Sequence, residues 1–571
     1  MAAAAPNPGL PAAGPGAHSL HGRRLDLLVG AGLAYLLAIP LLLLPERETR
    51  ALGFVLAGLS LLINTPHYGA TLLRVYERSE DRRRYAFFAI HATAAIALLF
   101  AVGLHVPQLG ALLVTLYVSW SPWHFAGQNF GLSLTFLRRG GTAVDAQTRR
   151  WLWLCFFLSF LVSLIVMHAV GVSLIFAPVG EAPEDSYDVL RLGIPQALAL
   201  PSATLLGSAS LAAAGVALVR LGRGGAGFSL LLPVVLLIAS QAAWFVVPAL
   251  LRAFGHSSLP LPLTAAVTSL AHSAQYLWIT SYYAERGTPG FSLRGYYARA
   301  LLGGACLSAL PGLFAAPLLL SDLHWGSGLA MLSFSCVNLH HFVLDGAVWK
   351  LRDGRVARVL LRPADAPASA SAPGPAPRRR FAPVWYALGA LALTAMLTHL
   401  VSLGAVNSTS LPQVERATAA LAWIRRDNSE LLGTLGDLYL AEGRLDPAEA
   451  AYRKGLTVHD APELRNNLAW LLAVERGGAE PAGEAVRLML PVIEQNPDDP
   501  AYLDTAAAAY AAAGERPQAV ALARAALDRA RRAGDGALIA AIEEHLADFA
   551  AGRSARKGVL PRAAEPAAAD Y

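Results

Sequence analysis

The feature that most constrains this chain is a succession of apolar runs of bilayer length, separated by short segments that are alternately rich and poor in arginine. A helix crossing the hydrocarbon core needs about 20 mostly apolar residues. Such runs fall at 25–44, 51–73, 85–105, 108–137, 151–178, 195–219, 228–251, 259–283, 296–320, 325–349 and 382–403. They predict an all-α, polytopic membrane helix bundle of about 11 spans, because helices satisfy their own backbone hydrogen bonds in lipid. The fourth run is long and is expected to tilt or to break at Pro122, and the sixth carries Pro195 and Pro201 among small residues. Composition agrees. Hydrophobic residues make up 55% of the 571 and charged residues 15%, against about 25% charged in soluble domains. A disordered chain is excluded, and the composition predicts a membrane protein rather than a wholly water-soluble one.

Orientation follows from the basic residues. One alternate set of segments holds 24 Lys and Arg, from Arg23 and Arg24 through Arg74–Arg84 to Lys350 and Arg380, whereas the opposite set holds four, Arg47, Arg50, Arg191 and Arg252. The N-terminus is therefore expected in the cytoplasm of a bacterial-type inner membrane, and the odd span count sends the C-terminus to the periplasmic or extracytoplasmic side. The net charge of +6 is spent on these loops, so no nucleic-acid partner is expected. The run at 25–44 has no A-x-A-like cleavage site and reads as a retained span rather than a signal peptide. Cys155, Cys306 and Cys336 each lie in an apolar stretch and read as small buried hydrophobes, not disulfides.

Residues 1–19 form an Ala/Pro/Gly-rich disordered tail, and 20–362 a ten-span membrane core. A Pro/Ala-rich cytoplasmic linker at 363–381 leads to the last transmembrane helix at 382–403, and 551–571 is a second tail. Between them, 410–550 has the composition of a soluble helical domain and contains a repeat. Leu432, Leu435, Gly436, Tyr439, Gly443, Ala448 and Tyr452 begin it, and Leu468 lies 33 residues after Leu435. Leu503, Ala507, Tyr510, Gly514, Ala519 and Ala526 form a third unit, and 538–549 reads as a capping helix. This segment resembles the tetratricopeptide repeat (TPR) family. The resemblance implies a soluble α-solenoid whose concave groove binds a protein or peptide partner.

Histidines carry the chemical signal. His67, His91, His124, His272, His340 and His341 all fall inside expected spans. At a rise of about 1.5 Å per residue, their spacing from the flanking charged residues puts all of them roughly 10–20 Å from the cytoplasmic face. Polar companions sit three or four positions away, on the same helix faces. Asn64 and Thr71 flank His67, Gln128 follows His124, Gln275 follows His272, and Asp345 follows His341. The spacing predicts one inner-leaflet metal site with His67, His91, His124, His272, His340, His341 and Asp345 as ligands. Asn64, Gln128, Gln275 and Asn338 are expected to orient the imidazoles from behind. A carboxylate within a span is costly and usually marks function. Gly69, Gly127 and Gly131 are expected to let helices approach closely around the site.

Imidazole with carboxylate suits iron, zinc or copper. A cluster open laterally to lipid favours a membrane lipid or another hydrophobic small molecule as substrate, and non-haem iron with dioxygen would fit its hydroxylation, desaturation or cleavage. The core resembles the multi-histidine membrane non-haem iron oxygenases. Pro66-His67-Tyr68-Gly69 is similar to the Pro-His-Gly motif of carotene-cleaving dioxygenases, and His340-His341 to the histidine doublets of membrane desaturases. That resemblance implies an oxidoreductase acting on a lipid or isoprenoid. Haem between two facing histidines is the chemical competitor. A non-enzymatic membrane-anchored TPR scaffold is another reading. Multi-span glycosyltransferases resemble the layout but use acidic residues of the first outer loop, which here offers Glu46 and Glu48. There is no Walker loop, no dinucleotide fingerprint at a strand–helix junction and no H-E-x-x-H, and residues 222–227 read as a Gly-rich turn.

Overall fold

The computed structural model describes residues 19–40, 46–77, 79–171, 187, 189–254, 261–288, 290–312, 328–349, 354–361 and 382–555. The expected linker at 363–381, nearly all of the two expected tails, and the expected span residues 41–44, 172–178, 259–260, 313–320 and 325–327 lie outside them. Among the described residues every regular element is helical. The chain divides into two compact units, one running up to Met396 and the other starting at Leu397.

The first unit contains α1 (Glu46–Tyr76), α2 (Thr93–Gly103), α3 (Pro107–Arg139), α4 (Ala146–Val170), α5 (Ala199–Arg223), α6 (Phe228–Gln241) and α7 (Val247–Ala253). It continues through α8 (Leu261–Gly287), α9 (Leu293–Leu310), α10 (Ala330–Val348), α11 (Gly354–Leu361) and the part of α12 (Ala382–Leu403) up to Met396, where the boundary between the units falls. Among the described residues four helical segments, Ala146–Val170, Gln196–Arg223, Phe228–Ala253 and Pro383–Leu403, are long and apolar enough to cross a membrane. The histidine-bearing helices α1, α3, α8 and α10 are diluted by the polar residues they bury. Large apolar side chains such as Leu37, Phe87, Leu98, Leu205, Phe228 and Val401 face outward, beyond what a water-exposed surface ordinarily carries.

Two expectations about continuity change. The run at 25–44 is not one helix. Asp26–Gly30 forms a π-turn, the chain takes a left-handed conformation at Gly32 (φ 84°), and Leu33–Leu37 is a separate short helix. Gly32 has the freedom for that bend, and buried Asp26 anchors the piece before it by accepting from the Leu20 and His21 amides and the Trp278 indole. Conversely α3 runs unbroken through Pro122 for 33 residues. Residues 222–227 join the end of α5 to α6 as a turn, and all three cysteines are free and buried.

Helices pair closely where side chains are smallest. A Cβ on Gly69 of α1 would collide with the Ala300 carbonyl of α9, and one on Gly304 of α9 with the Thr65 carbonyl of α1. Glycines facing in this way let two backbones touch. A Cβ on Gly127 or Gly131 meets nothing within 4 Å, so those two do not serve the close approach expected of them.

The second unit is a series of short helices packed on their sequence neighbours. They are α13 (Leu411–Trp423), α14 (Ser429–Ala441), α15 (Leu445–Val458), α16 (Pro462–Trp470), α17 (Ala479–Gln495), α18 (Pro500–Ala512), α19 (Arg516–Ala533) and α20 (Gly536–Ala550). Their starts are written in the sequence: Asn428, Asp499 and Asp535 cap free amides at 2.8–3.1 Å, a contribution of about 1 kcal/mol each. The repeat residues are those that pack: Ala448 and Tyr452 are fully buried, and Gly436 leaves room for the Tyr452 ring.

Candidate metal centre

Four helices each bring one imidazole to a common point. His67 comes from α1, His124 from α3, His272 from α8 and His341 from α10, and α10 adds Asp345 one turn further on. Ligand-capable atoms of His67, His272 and His341 lie within 4.8 Å of one another, and so do those of His124, His341 and Asp345. The His124 and His272 Nε2 atoms are 3.2 Å apart. Asp345 Oδ2 is 3.5 Å from His341 Nε2 and 3.8 Å from His124 Nε2. The rings are in contact, with His67 and His341 centroids 4.2 Å apart and His67 and His272 4.9 Å apart.

The other carboxylate oxygen is tied back. Asp345 Oδ1 accepts from the Tyr276 hydroxyl at 2.5 Å and from Thr71 at 3.2 Å. Thr71 also pairs with His341 Nδ1 at 3.0 Å and with the Tyr276 hydroxyl at 2.6 Å, while the Trp349 indole donates to Tyr276 at 3.0 Å. Periodicity explains the convergence, since Tyr276 follows His272 by four, Thr71 follows His67 by four, and Trp349 follows Asp345 by four.

Several buried nitrogens make no hydrogen bond: both of His67, Nδ1 of His272 and Nε2 of His341, which has only the Asp345 oxygen at 3.5 Å beside it. Leaving such a group unsatisfied costs about 1–3 kcal/mol, and unsatisfied buried groups call for an explanation such as an ion. Three imidazoles and a carboxylate with free lone pairs fit a transition metal as ligands.

The expected site residues divide into three groups. His67, His124, His272, His341 and Asp345 come together. His340, beside His341 in sequence but turned to the other flank of α10, pairs with Thr93 of α2 at 2.9 Å and leaves the cluster. His91 sits in the π-turn Phe87–Ala92, exposed, with its ring against Phe87. The expected orienting residues surround the centre without touching an imidazole nitrogen. Gln128 donates to Gln275 at 3.0 Å and to the His272 carbonyl at 3.2 Å, and Gln275 donates to the Gly30 carbonyl. Asn64 accepts from Ser273 at 2.7 Å, and Asn338 accepts from Tyr68 at 3.0 Å. Sequence reasoning missed Tyr276 and Trp349, whose signal was their register with His272 and Asp345.

A cavity of about 30 Å³ adjoins His272, lined by the polar Asn129, Ser240 and Gln275 as well as by Phe125, Trp244 and Phe245. It has room for a water molecule or two or a diatomic gas, not for a lipid chain. On the other side, the Phe342 ring stacks on His124 at 4.3 Å and meets Trp120, which is 39% exposed, at 6.0 Å. No family model, no curated protein and no solved structure matches the chain.

Proposed function

We propose that the chain is an integral membrane protein of about eleven spans with its N-terminus in the cytoplasm, and that its histidine cluster binds iron for oxidative chemistry on a lipid or isoprenoid. The observation that carries this reading is the convergence of four imidazoles and one carboxylate from four helices, with buried nitrogens left unpaired. His124, His341 and Asp345 supply the two-histidine, one-carboxylate donor set used by non-haem iron oxygenases, and His67 and His272 extend it. Iron bound there would supply activation of dioxygen. The chain's own residues do the rest: Thr71 and Tyr276 fix the carboxylate, and the Phe342–Trp120 flank beside His124 gives an apolar substrate a side on which to approach. The likeness of the core to membrane non-haem iron oxygenases rests on the short motifs at His67 and His340-His341.

Haem fits less well, because a porphyrin needs a slot between its ligands and these rings touch one another. A pure scaffold has no use for buried, unpaired imidazoles. For the second unit we propose a TPR solenoid on the periplasmic side that binds a protein or peptide partner, supported by the buried Ala448 and Ala519, which lie 71 residues apart, as do the partly buried Tyr439 and Tyr510.

Metal analysis by plasma mass spectrometry with an optical spectrum tests the centre, on detergent-purified protein beside a His124→Ala, His341→Ala double variant. The expected result is stoichiometric iron without a Soret band, lost in the variant. A Soret band would move the site to haem, and no metal in protein from metal-replete cells would remove it.

A further inference from the structure

Three aromatic side chains lead away from the histidine cluster in unbroken ring contact. Tyr276 lies against His67 with centroids 4.6 Å apart, Trp349 meets Tyr276 at 6.0 Å, and Tyr283 meets Trp349 at 5.4 Å. Tyr276 and Tyr283 are two turns apart on one face of α8, and Trp349 caps α10, so the path is built from the same two helices that carry His272, His341 and Asp345. It ends under Arg74, whose guanidinium sits 4.7 Å from the Tyr283 ring and 6.0 Å from Trp349 and pairs with Asp81 at 3.0 Å. Arg82, Arg83, Arg84 and Arg286, all exposed, mark this as the basic end of the unit. Trp349 is partly exposed, and the buried Tyr283 hydroxyl has no hydrogen-bond partner, so packing polar groups is not what placed it there.

We infer that Tyr283, Trp349 and Tyr276 form the path by which a water-soluble one-electron donor at the basic end reduces the metal held by the histidine cluster. This rests on the metal reading above and narrows its reaction class. Electron transfer through protein falls steeply with distance, and contacting π systems couple a surface donor to the metal in one tunnelling step better than a gap would, with none of the three rings itself reduced or oxidised. A reaction that draws on such a path takes electrons from outside its substrate. Two electrons, two protons and dioxygen convert a C–H bond to C–OH with release of one water, or a CH2–CH2 pair to an alkene with release of two. Dioxygen-driven cleavage that puts both oxygen atoms into the products takes no external electrons and would leave the path unused. The structure therefore assigns this centre to hydroxylation or desaturation rather than cleavage.

The test is anaerobic stopped-flow reduction of the iron-loaded full chain in nanodiscs, with dithionite as donor and the loss of the ferric optical and EPR signals as readout. Trp349→Leu and Tyr283→Leu are each compared with wild type, with iron content measured in every sample. Trp349 donates to the Tyr276 hydroxyl that holds Asp345, whereas Tyr283 meets the path one ring further out, at Trp349, so its variant reports on the path even if Trp349→Leu loosens the metal. The expected result is reduction slowed by about tenfold in both, with Trp349→Phe recovering most of the rate. Iron-bearing variants that reduce at the wild-type rate overturn the path and leave the metal site standing. Wild-type protein that binds no iron overturns the metal reading and the path with it.

Discussion

The Tyr276 hydroxyl donates to Oδ1 of Asp345 at 2.5 Å, and this bond decides which carboxylate oxygen faces the imidazoles. With Oδ1 held by Tyr276 and Thr71, Oδ2 is left pointing at His124 and His341. A free Asp side chain would rotate, and here it is presented as a single-oxygen donor. The same hydroxyl receives the Trp349 indole proton, so α8 and the end of α10 are locked around the centre.

Replacing Tyr276 with Phe keeps the ring against His67 and removes only that bond. Loss of a group that orients a metal ligand typically costs 10–100-fold in affinity, so Tyr276→Phe is expected to weaken iron binding by about that range. Competition with a chelator, read by absorbance, measures the change, and unaltered thermal unfolding of the metal-free protein separates it from misfolding. Equal affinity in the two proteins would mean that Asp345 is not a ligand.

The backbone contact at Gly69 and Gly304 sets where His67 sits, two residues from Gly69. An added methyl at either glycine must push α1 and α9 apart, and overpacking of this kind costs about 1–3 kcal/mol. Gly69→Ala and Gly304→Ala should therefore unfold at lower temperature and hold less iron. Gly127→Ala and Gly131→Ala, with open space at the Cβ position, should stay within about 1 kcal/mol of wild type. Detergent-phase thermal scans of all four variants, with iron content before heating, make the comparison.

Periodicity made part of this legible. Histidines on four apolar runs, each with a polar residue three or four positions on, pointed to one centre because residues at that spacing share a helix face. Helix positions were legible for the same reason, since apolar run length and capping residues are local properties. Which side of α10 faces the centre was not. His340 and His341 are neighbours in sequence and about 100° apart around the helix, and only packing against α1 and α2 selects His341. His91 shared the expected depth, but its helix turns it outward, and depth carries no angular information. The break at Gly32 was hidden because an apolar composition persists through it. The Gly127 and Gly131 expectation failed because a small residue permits contact without requiring it.

That distinction between depth and direction can be tested. His91→Ala is expected to leave iron content and binding unchanged, since its exposed ring reaches none of the clustered donors. His340→Ala removes a bond to Thr93, whose hydroxyl keeps the Phe88 carbonyl and the Tyr76 hydroxyl as partners, and should lower stability by only about 0.5–1.5 kcal/mol for the lost hydrogen bond, with iron still bound. His67→Ala, by contrast, removes a ligand candidate and should lower iron occupancy. Plasma mass spectrometry on the three variants decides the ranking, and iron lost equally in His91→Ala would contradict the site as built.

In the second unit, His545 of α20 pairs through Nδ1 with the fully buried Asp504 of α18 at 2.8 Å. Burial alone would lower the imidazole's pKa, but the hydrogen bond and charge of Asp504, with Glu544 and Asp548 nearby, outweigh it and hold the pKa above its ordinary value. The folded state therefore binds this proton more tightly than the unfolded one, and the stability it contributes is fully present below the ordinary histidine pKa of about 6.5. It is lost as pH rises through the folded-state value. Hydrogen exchange in residues 536–550 of the full chain, corrected for intrinsic rate, should thus show α20 better protected at the acidic end of the range and opening more readily as pH climbs. His545→Gln should flatten that dependence, because no titrating group is left to face Asp504. A pH dependence that survives the substitution would assign it to another group of the unit.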